Sequence, residues 1–316
     1  MQGFKVGSDI LDAVTRLDFH LAPSETVSTL PQELNTLFDS SGKRFRPALV
    51  FLFGQVFEVP EETLVAYARA VEMTHTASLV HDDVIDEASE RRKIPTINSR
   101  FTNTQAILAG DFLLARVIGD LLREGRLDLI TDLTDAIKDL ADGEWLQAHL
   151  KQTGKATWSE LETVARKKTG SLMLWSCLAP AKISSQSPEV IDECRRLGDD
   201  IGVFFQMLDD VNDFNPQSGK PFAADLMNGQ LNFVTARMLE LDPSLRQTFQ
   251  VFRATGELTC RAELEAAKNF VVNRSIELEN DLNQRFHRLA EKTAPATLTV
   301  FAKMLVKVRE TFAKKA

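Results

Sequence analysis

Two stretches decide how this chain folds: Ser78-Leu-Val-His-Asp-Asp-Val-Ile-Asp86 and Phe205-Gln-Met-Leu-Asp-Asp-Val-Asn-Asp213. Each runs from apolar residues into the pattern Asp-Asp-x-x-Asp. On a helix, side chains three or four positions apart share a face, so each motif brings its carboxylates together. Like charges at that spacing repel and weaken an isolated helix. A chain that repeats the arrangement is predicted to place a cation beside each motif.

The ligand chemistry indicates which cation this is. Carboxylate oxygens suit a hard ion, and Mg2+ typically binds one or two carboxylates together with waters and substrate phosphates. Two motifs facing a common cavity would hold a diphosphate through bridging Mg2+. The alternative is a solvated acidic helix end, which suits a single motif better than two motifs that both follow apolar segments.

The composition limits the class of protein. The chain has 316 residues, of which 44% are hydrophobic and 26% charged, and no Gly/Ser/Pro-rich linker divides it, so we predict a single domain over residues 1–316. A net charge of −8 argues against a nucleic-acid partner. No signal-peptide pattern and no membrane-spanning apolar stretch is found, and three cysteines without ligand spacing fit a reduced compartment. We therefore expect a cytoplasmic protein.

Apolar residues recur every three or four positions along most of the chain, which is the period of amphipathic helices. We predict an all-α fold in which a long helix runs from Pro60 into the first Asp motif. A polar loop is predicted over residues 87–96, and a mid-helix interruption at Lys167-Lys-Thr-Gly170. The other main helices are predicted over residues 6–21, 23–38, 48–57, 104–122, 127–150, 158–178 and 188–213.

Basic residues form local groups in this acidic chain. Lys43, Arg44 and Arg46 precede a helix start, where backbone N–H groups and the helix dipole attract anions. Arg91 and Arg92 directly follow the first Asp motif, and guanidinium groups suit phosphate oxygens. We predict phosphate-binding groups here, although solvated basic loops are the simpler alternative.

These parts favour one kind of chemistry. The sequence has no GxSxG, no P-loop and no GxGxxG pattern. Two carboxylate triads with Mg2+ and separate Lys/Arg groups could instead remove a diphosphate from an apolar chain by stabilising the charge on the leaving group. Apolar helices around the site would exclude water from the carbocation.

The motifs together resemble those of the trans-isoprenyl diphosphate synthases of the polyprenyl synthetase family, in family order over about residues 40–230. The matching segments are Gly42-Lys-Arg-Phe-Arg-Pro47, residues 75–86 with Arg91-Arg92, Gly110-Asp-Phe-Leu-Leu, Lys168-Thr-Gly170, residues 205–213 and Gly219-Lys-Pro221. The resemblance implies a bundle of long, mostly antiparallel helices around a central apolar cavity, usually as a homodimer. It also implies head-to-tail condensation of isopentenyl diphosphate with an allylic diphosphate, with three Mg2+ ions when substrate is bound.

The resemblance assigns roles residue by residue. The metal ligands would be Asp82, Asp86 and Asp209, and the catalytic set would add Asp83, Asp210, Asp213 and Lys168. Isopentenyl diphosphate would be bound by Lys43, Arg46, His75 and Arg92. The allylic diphosphate would be bound by Arg91, Lys168, Thr169, Gln206 and Lys220. The released diphosphate is expected to take the final proton, so no protein base is needed.

The segment after Lys220 departs from the family pattern. Ala223 and Gln230 replace the usual Gly and Lys, and Asn232 replaces the usual Thr. We expect these replacements to weaken the binding of the allylic diphosphate or to alter a lid, for which the turn-rich loop over residues 215–221 is the candidate. One alternative is therefore a catalytically silent subunit of a heteromeric synthase, but all six motif aspartates remain and favour an active enzyme. A terpene cyclase is disfavoured because the second Asp motif and the basic segment indicate a second diphosphate substrate.

Product length depends on the residues one helical turn below the first motif. Ala77 and Ser78 are both small, whereas the short-chain enzymes that this chain resembles tend to place an aromatic residue there. We therefore predict a product longer than C15, such as a quinone side-chain precursor, with transient membrane contact for product release. A geranylgeranyl diphosphate synthase, with a C20 product, is the alternative, because a bulky residue on another helix could stop the growth of the product chain.

Overall fold

The computed structural model describes residues 8–22, 29–39, 42–91, 94–217, 221–291 and 294–313. These ranges are almost entirely helical, which confirms the all-α prediction. The helices are α1 Ser8–Arg16, α2 Thr29–Asp39, α3 Phe45–Val56, α4 Glu61–Ile85, α5 Ile97–Arg100, α6 Asn103–Arg123, α7 Leu127–Thr153, α8 Trp158–Ala165, α9 Ser171–Ile183, α10 Pro188–Asp213, α11 Ala224–Met227, α12 Phe233–Leu241, α13 Leu245–Thr255, α14 Arg261–Ala290 and α15 Pro295–Ala313.

Two of the sequence predictions need correction. The first helix ends at Arg16 rather than continuing to residue 21, and the Asp18 carboxylate accepts a hydrogen bond from the His20 N–H in a local turn. The segment 87–96 is not only a loop, because β1 Glu90–Arg91 pairs antiparallel with β2 Ile94–Pro95. The predicted helix start over residues 23–28 lies outside the described residues.

The described structure contains two compact units, formed by residues 1–137 with 175–191 and by residues 138–174 with 192–316. The prediction of a single domain stays a prediction. Within the first unit, α3 and α4 pack closely at Gly54, where an added Cβ would lie 2.1 Å from Leu64 Cδ1. The core of this unit also holds Tyr67 and Trp175, whose ring centroids are 6.3 Å apart.

The second unit is built around α10. A Cβ at Gly202 would lie 2.3 Å from Gly170 Cα, and one at Gly198 would lie 2.3 Å from Leu174 Cα. The missing side chains therefore allow α10 to approach the neighbouring backbone directly. Buried residues of α8, α10, α12, α13 and α14 complete this core, among them Val203, Met207, Phe233, Phe249 and Leu264.

None of the described helices is both long enough and apolar enough to cross a membrane.

Candidate active site

The first Asp motif lies at the C-terminal end of α4. Asp82 and Asp83 belong to the last turn, and Asp86 is the C-cap residue. The helix ends in a Schellman arrangement, in which the Ala88 N–H donates to Asp83 O at 2.9 Å and Glu87 has a left-handed φ of 52°. The last turn contains no basic residue. The carboxylates therefore repel each other at the negative end of the helix dipole.

A guanidinium from the hairpin contacts the middle carboxylate of this motif. Arg91, in β1, donates to Asp83 Oδ1 from Nε at 2.9 Å and approaches it with Nη2 at 2.8 Å. Asn98 also donates to Asp83 O at 3.3 Å. Asp83 is buried and Arg91 is partly exposed. The hairpin that the sequence left unrecognised thus holds Arg91 against the motif.

The residues below the motif on α4 differ in their burial. Ala77 is fully buried, whereas His75 and Ser78 are half-buried. The Ser78 hydroxyl donates to His75 O at 2.8 Å. His75 lies seven positions before Asp82, which is about two turns along the same face.

The basic segment before α3 divides into residues with different surroundings. Arg44 is the N-cap of α3 with a left-handed φ of 48°, and its side chain donates to Val14 O at 3.3 Å and Phe38 O at 3.4 Å. Its guanidinium also lies 4.7 Å from the centre of the Phe19 ring. Arg44 thus joins structural elements, and its predicted part in a phosphate-binding group stays a prediction.

Arg46, in the first turn of α3, has a different environment. Burial lowers the pKa of Arg46 to about 10, an effect that the carboxylate of buried Glu72 opposes. The Arg46 Nε is buried and has no hydrogen-bond partner among the described residues. A buried guanidinium N–H without a partner is costly, so this group is suited to an anionic ligand. Lys43 is exposed beside it.

The second Asp motif forms the C-terminal turn of α10, again without a basic residue in that turn. Asp210 is buried and accepts hydrogen bonds from Gln206 Nε2 at 2.8 Å and from the Phe233 N–H at 2.8 Å. Burial raises the pKa of Asp210 well above its usual value, and the nearby carboxylates of Asp225 and Asp209 raise it further. The middle aspartate of this motif is thus surrounded by protein contacts.

The last aspartate of this motif anchors the segment that follows it. Asp213 accepts hydrogen bonds from the Ala224 N–H at 3.1 Å and the Asp225 N–H at 3.3 Å, and its own carbonyl accepts from the Ala223 N–H at 2.8 Å. These contacts fix the start of α11 against the end of α10.

The predicted interruption between α8 and α9 is a π-helical turn, Arg166–Gly170. Its Lys168 ammonium lies 2.5 Å from Glu144 Oε2 and donates to Gln147 Oε1 at 2.9 Å. Its Thr169 hydroxyl donates to Gln206 Oε1 at 2.9 Å. Thr169, Gln206 and Asp210 are therefore linked by side-chain hydrogen bonds, and Lys168 precedes Thr169 in the same π-helical turn, an element that is frequent at functional sites.

The departures from the family pattern have structural consequences. Ala223 adopts a left-handed φ of 51°, a conformation that favours glycine. Asn232 is the N-cap of α12, where its side chain accepts from the Thr235 N–H at 3.1 Å and donates to Asp225 Oδ2 at 3.1 Å. The replacement Asn232 therefore retains a capping role and adds a bond to Asp225.

Several side chains that contact the candidate site residues were not predicted from the sequence. Glu144 and Gln147, which contact Lys168, are more than 20 positions from it in the chain. Asp225, whose carboxylate raises the pKa of Asp210, is brought close to it only by the fold. The predicted ligands Arg92 and Lys220 lie outside the described residues. Among the residues that the structure covers, no three His, Cys, Asp or Glu side chains converge into a complete metal-binding group.

The fold and the two carboxylate motifs define an all-helical protein of the isoprenoid synthase type. The sequence profile of the polyprenyl synthetase family matches residues 27–271, and the chain belongs to that family. This confirms the resemblance drawn from the motifs and the prediction of a prenyltransferase.

Relatives support the same assignment. The chain is 37% identical over 238 residues to a prenyl transferase of Synechocystis sp., covering 72% of this chain and 73% of that protein. It is 31% identical over 277 residues to the decaprenyl-diphosphate synthase of Dictyostelium discoideum, covering 85% of this chain but 60% of that protein. A solved polyprenyl synthase from Caulobacter crescentus, described in complex with calcium and isoprenyl diphosphate, has the same fold. Its TM-score is 0.80 at 21% identity, and the match covers 98% of this chain and 95% of that one.

Proposed function

We propose that this chain condenses isopentenyl diphosphate head to tail with an allylic diphosphate in a Mg2+-dependent reaction, giving a polyprenyl diphosphate longer than C15. The observation that carries the proposal is the position of both Asp motifs. Each ends a long helix at the negative end of its dipole, and neither last turn contains a basic residue. Carboxylates accumulate there at a cost to helix stability, which a bound divalent cation would remove.

The donor set fits a hard cation. By their positions in the two Asp motifs, we assign metal binding to Asp82, Asp86 and Asp209. Asp83, Asp210 and Asp213 make contacts with Arg91, with Gln206 and with backbone N–H groups respectively. Mg2+, expected as three ions with substrate, would stabilise negative charge on the leaving diphosphate. The Caulobacter crescentus structure, which is described as complexed with calcium, supports a requirement for a divalent cation.

The allylic diphosphate is assigned to Arg91, Lys168, Thr169, Gln206 and Lys220. Lys168 and Thr169 project from the π-turn, and Glu144 and Gln147 fix the direction of the ammonium. An ammonium held in this way can donate to diphosphate oxygens without first losing rotamer freedom. Arg91 is assigned to the same substrate because it follows the first Asp motif in the sequence.

Isopentenyl diphosphate is assigned to Lys43, Arg46, His75 and Arg92. The support from this structure is the buried Arg46 Nε, which lacks a partner among the described residues. A diphosphate oxygen would supply the missing acceptor in a charge-assisted hydrogen bond.

The product is proposed to be a long polyprenyl diphosphate, such as a quinone side-chain precursor. Ala77 and Ser78 present no bulky side chain below the first Asp motif, and the Dictyostelium relative is named for a decaprenyl product. The alternative C20 product has no specific observation in its favour.

The decisive experiment is a product assay on the purified chain with labelled isopentenyl diphosphate, farnesyl diphosphate and Mg2+, in which dephosphorylated products are sized by chromatography. We expect a ladder that ends at one chain length beyond C15, and loss of all products in excess EDTA. Asp82→Ala and Asp209→Ala should each lower kcat by about 100-fold or more, whereas Asp135→Ala, an exposed site on α7, should not. Absence of elongation from every allylic starter would instead identify a silent subunit.

We also propose a homodimer. The outer face of α6 exposes an apolar stripe with a spacing of seven residues, formed by Leu108, Ala115 and Leu122. A stripe of this kind is suited to packing against a second helix. The double variant Leu108→Lys/Leu122→Lys should sediment as a monomer, while Val251→Lys, an equally exposed site on α13, should retain the mass of the wild type.

A further inference from the structure

Directly before its last turn, α4 is attached to α6 by a histidine that the proposed mechanism does not use. We propose that His81 is a positioning residue, which fixes Asp82 and Asp86 in the geometry required for the divalent cation. The inference rests on the proposed function, because it concerns the same carboxylates.

The contact is made by one ring nitrogen. His81 Nε2 lies 3.0 Å from Ile107 O and 3.6 Å from Asp111 Oδ1. A backbone carbonyl can only accept a hydrogen bond, so Nε2 carries the proton that is donated to Ile107. The His81 side chain is 29% exposed, and the contact is therefore partly shielded from water.

The surface of α6 is shaped to receive this ring. An added Cβ at Gly110 would lie 2.1 Å from His81 Nε2, 2.5 Å from Cδ2 and 2.7 Å from Cε1. Glycine in a helix interior is normally less favourable than alanine. The space taken by the imidazole explains why α6 has glycine at this position, within the Gly110-Asp-Phe-Leu-Leu motif.

The position of His81 in the chain links the contact to the metal ligands. The residue directly precedes Asp82, and the Asp86 N–H donates to Asp82 O at 2.8 Å. The final turn of a helix frays readily, and carboxylate repulsion at its negative end promotes fraying. Fixing residue 81 against α6 therefore fixes the backbone that directs both carboxylates.

The test measures metal binding apart from turnover. The first readout is calorimetric titration of Mg2+ into protein with excess inorganic diphosphate, and the second is the Mg2+ concentration for half-maximal elongation. Loss of residues that orient metal ligands typically costs 10- to 100-fold in affinity, and His81 acts through the backbone, so we expect about a tenfold weakening for His81→Ala. His81→Gln should bind Mg2+ nearly as the wild type does, because its amide can donate to Ile107 O.

Gly110→Ala supplies an independent test. Its methyl group must displace the ring, so it should weaken Mg2+ binding as His81→Ala does and should lower the melting temperature. In a His81→Ala background the obstruction is gone, so Gly110→Ala should leave Mg2+ binding unchanged and raise the melting temperature. Gly119→Ala on the same helix is the matched control, because its Cβ would meet only Arg123 Nη1 at 3.9 Å.

Three outcomes would overturn the inference: wild-type Mg2+ binding in both His81→Ala and Gly110→Ala, a His81→Gln variant as weak as His81→Ala, or additive effects in the double variant. These are distinct from a failure of the proposed function, in which the wild type itself would neither bind Mg2+ with diphosphate nor elongate any allylic starter.

Discussion

Replacing Gln206 by leucine should destabilise the second unit and disturb the allylic diphosphate site together. Gln206 donates to buried Asp210 at 2.8 Å and accepts from Thr169 at 2.9 Å. Leucine has a similar volume but makes neither bond. Of the two described hydrogen bonds to the Asp210 carboxyl group, the one from the Phe233 N–H would remain and the one from residue 206 would be lost. Leaving a buried acceptor poorly satisfied costs about 1–3 kcal/mol, and losing the threonine bond costs about 1 kcal/mol more.

We therefore expect the free energy of unfolding to fall by about 2–4 kcal/mol, measured by urea denaturation with circular dichroism. Gln250→Leu, on an exposed position of α13, is the matched control and should change the free energy of unfolding by less than about 0.5 kcal/mol. In steady-state kinetics, Gln206→Leu should raise KM for the allylic diphosphate more than KM for isopentenyl diphosphate.

An unfolding midpoint equal to that of the wild type would refute the reasoning about the buried carboxylate. Equal changes in KM for both substrates would refute the assignment of Gln206 to the allylic site. The two results are independent, because stability reports on the contact with Asp210, and the two KM values report on which substrate the group of side chains binds.

Three further predictions follow from individual environments. Burial raises the pKa of Asp199 to about 6, so the stability contributed by its protonated carboxyl group is full below about pH 4 and is lost as the pH rises through 6. In urea denaturation, the free energy of unfolding of Asp199→Asn should exceed that of the wild type by about 1–2 kcal/mol at pH 7.5, with no gain at pH 4. Ala77→Phe should shorten the product on chromatography, and an unchanged distribution would exclude this path for the growing chain. Arg44→Ala should lower the free energy of unfolding by about 1–2 kcal/mol and leave KM for isopentenyl diphosphate near the wild-type value, whereas Arg46→Ala should raise that KM.

The elements with a strong local signal were predictable. Helix α10 begins at Pro188 and ends at Asp213 as the pattern predicted, because a proline at the first turn and a regular apolar face both act within the helix itself. The interruption predicted at residues 167–170 falls within the π-helical turn Arg166–Gly170, since a Thr-Gly pair weakens a helix wherever it occurs. The hairpin at residues 90–95 was missed, because two-residue strands have too few positions to show an alternating pattern.

Within the site, the residue types and their spacing along one helix were accessible from the sequence. The aspartates of each motif share a helical face by geometry alone. The prediction that a cation is needed beside them followed from the same spacing. Their separate environments were not accessible. Asp210 is buried against the start of α12, while Asp83 is paired with a hairpin arginine, and nothing in the two matching motifs distinguishes these situations.

The sequence by itself therefore determined the all-α class, the carboxylate motifs and the family of this protein, because helical periodicity and motif spacing depend on residues close together in the chain. Only the tertiary structure decided that Glu144 and Gln147 hold Lys168, that Arg44 supports the fold beside Arg46, and that Gly110 accommodates His81. These contacts join distant parts of the chain, and each depends on how closely two helices approach. That distance is set by the packing of the whole core, which no local stretch of sequence encodes.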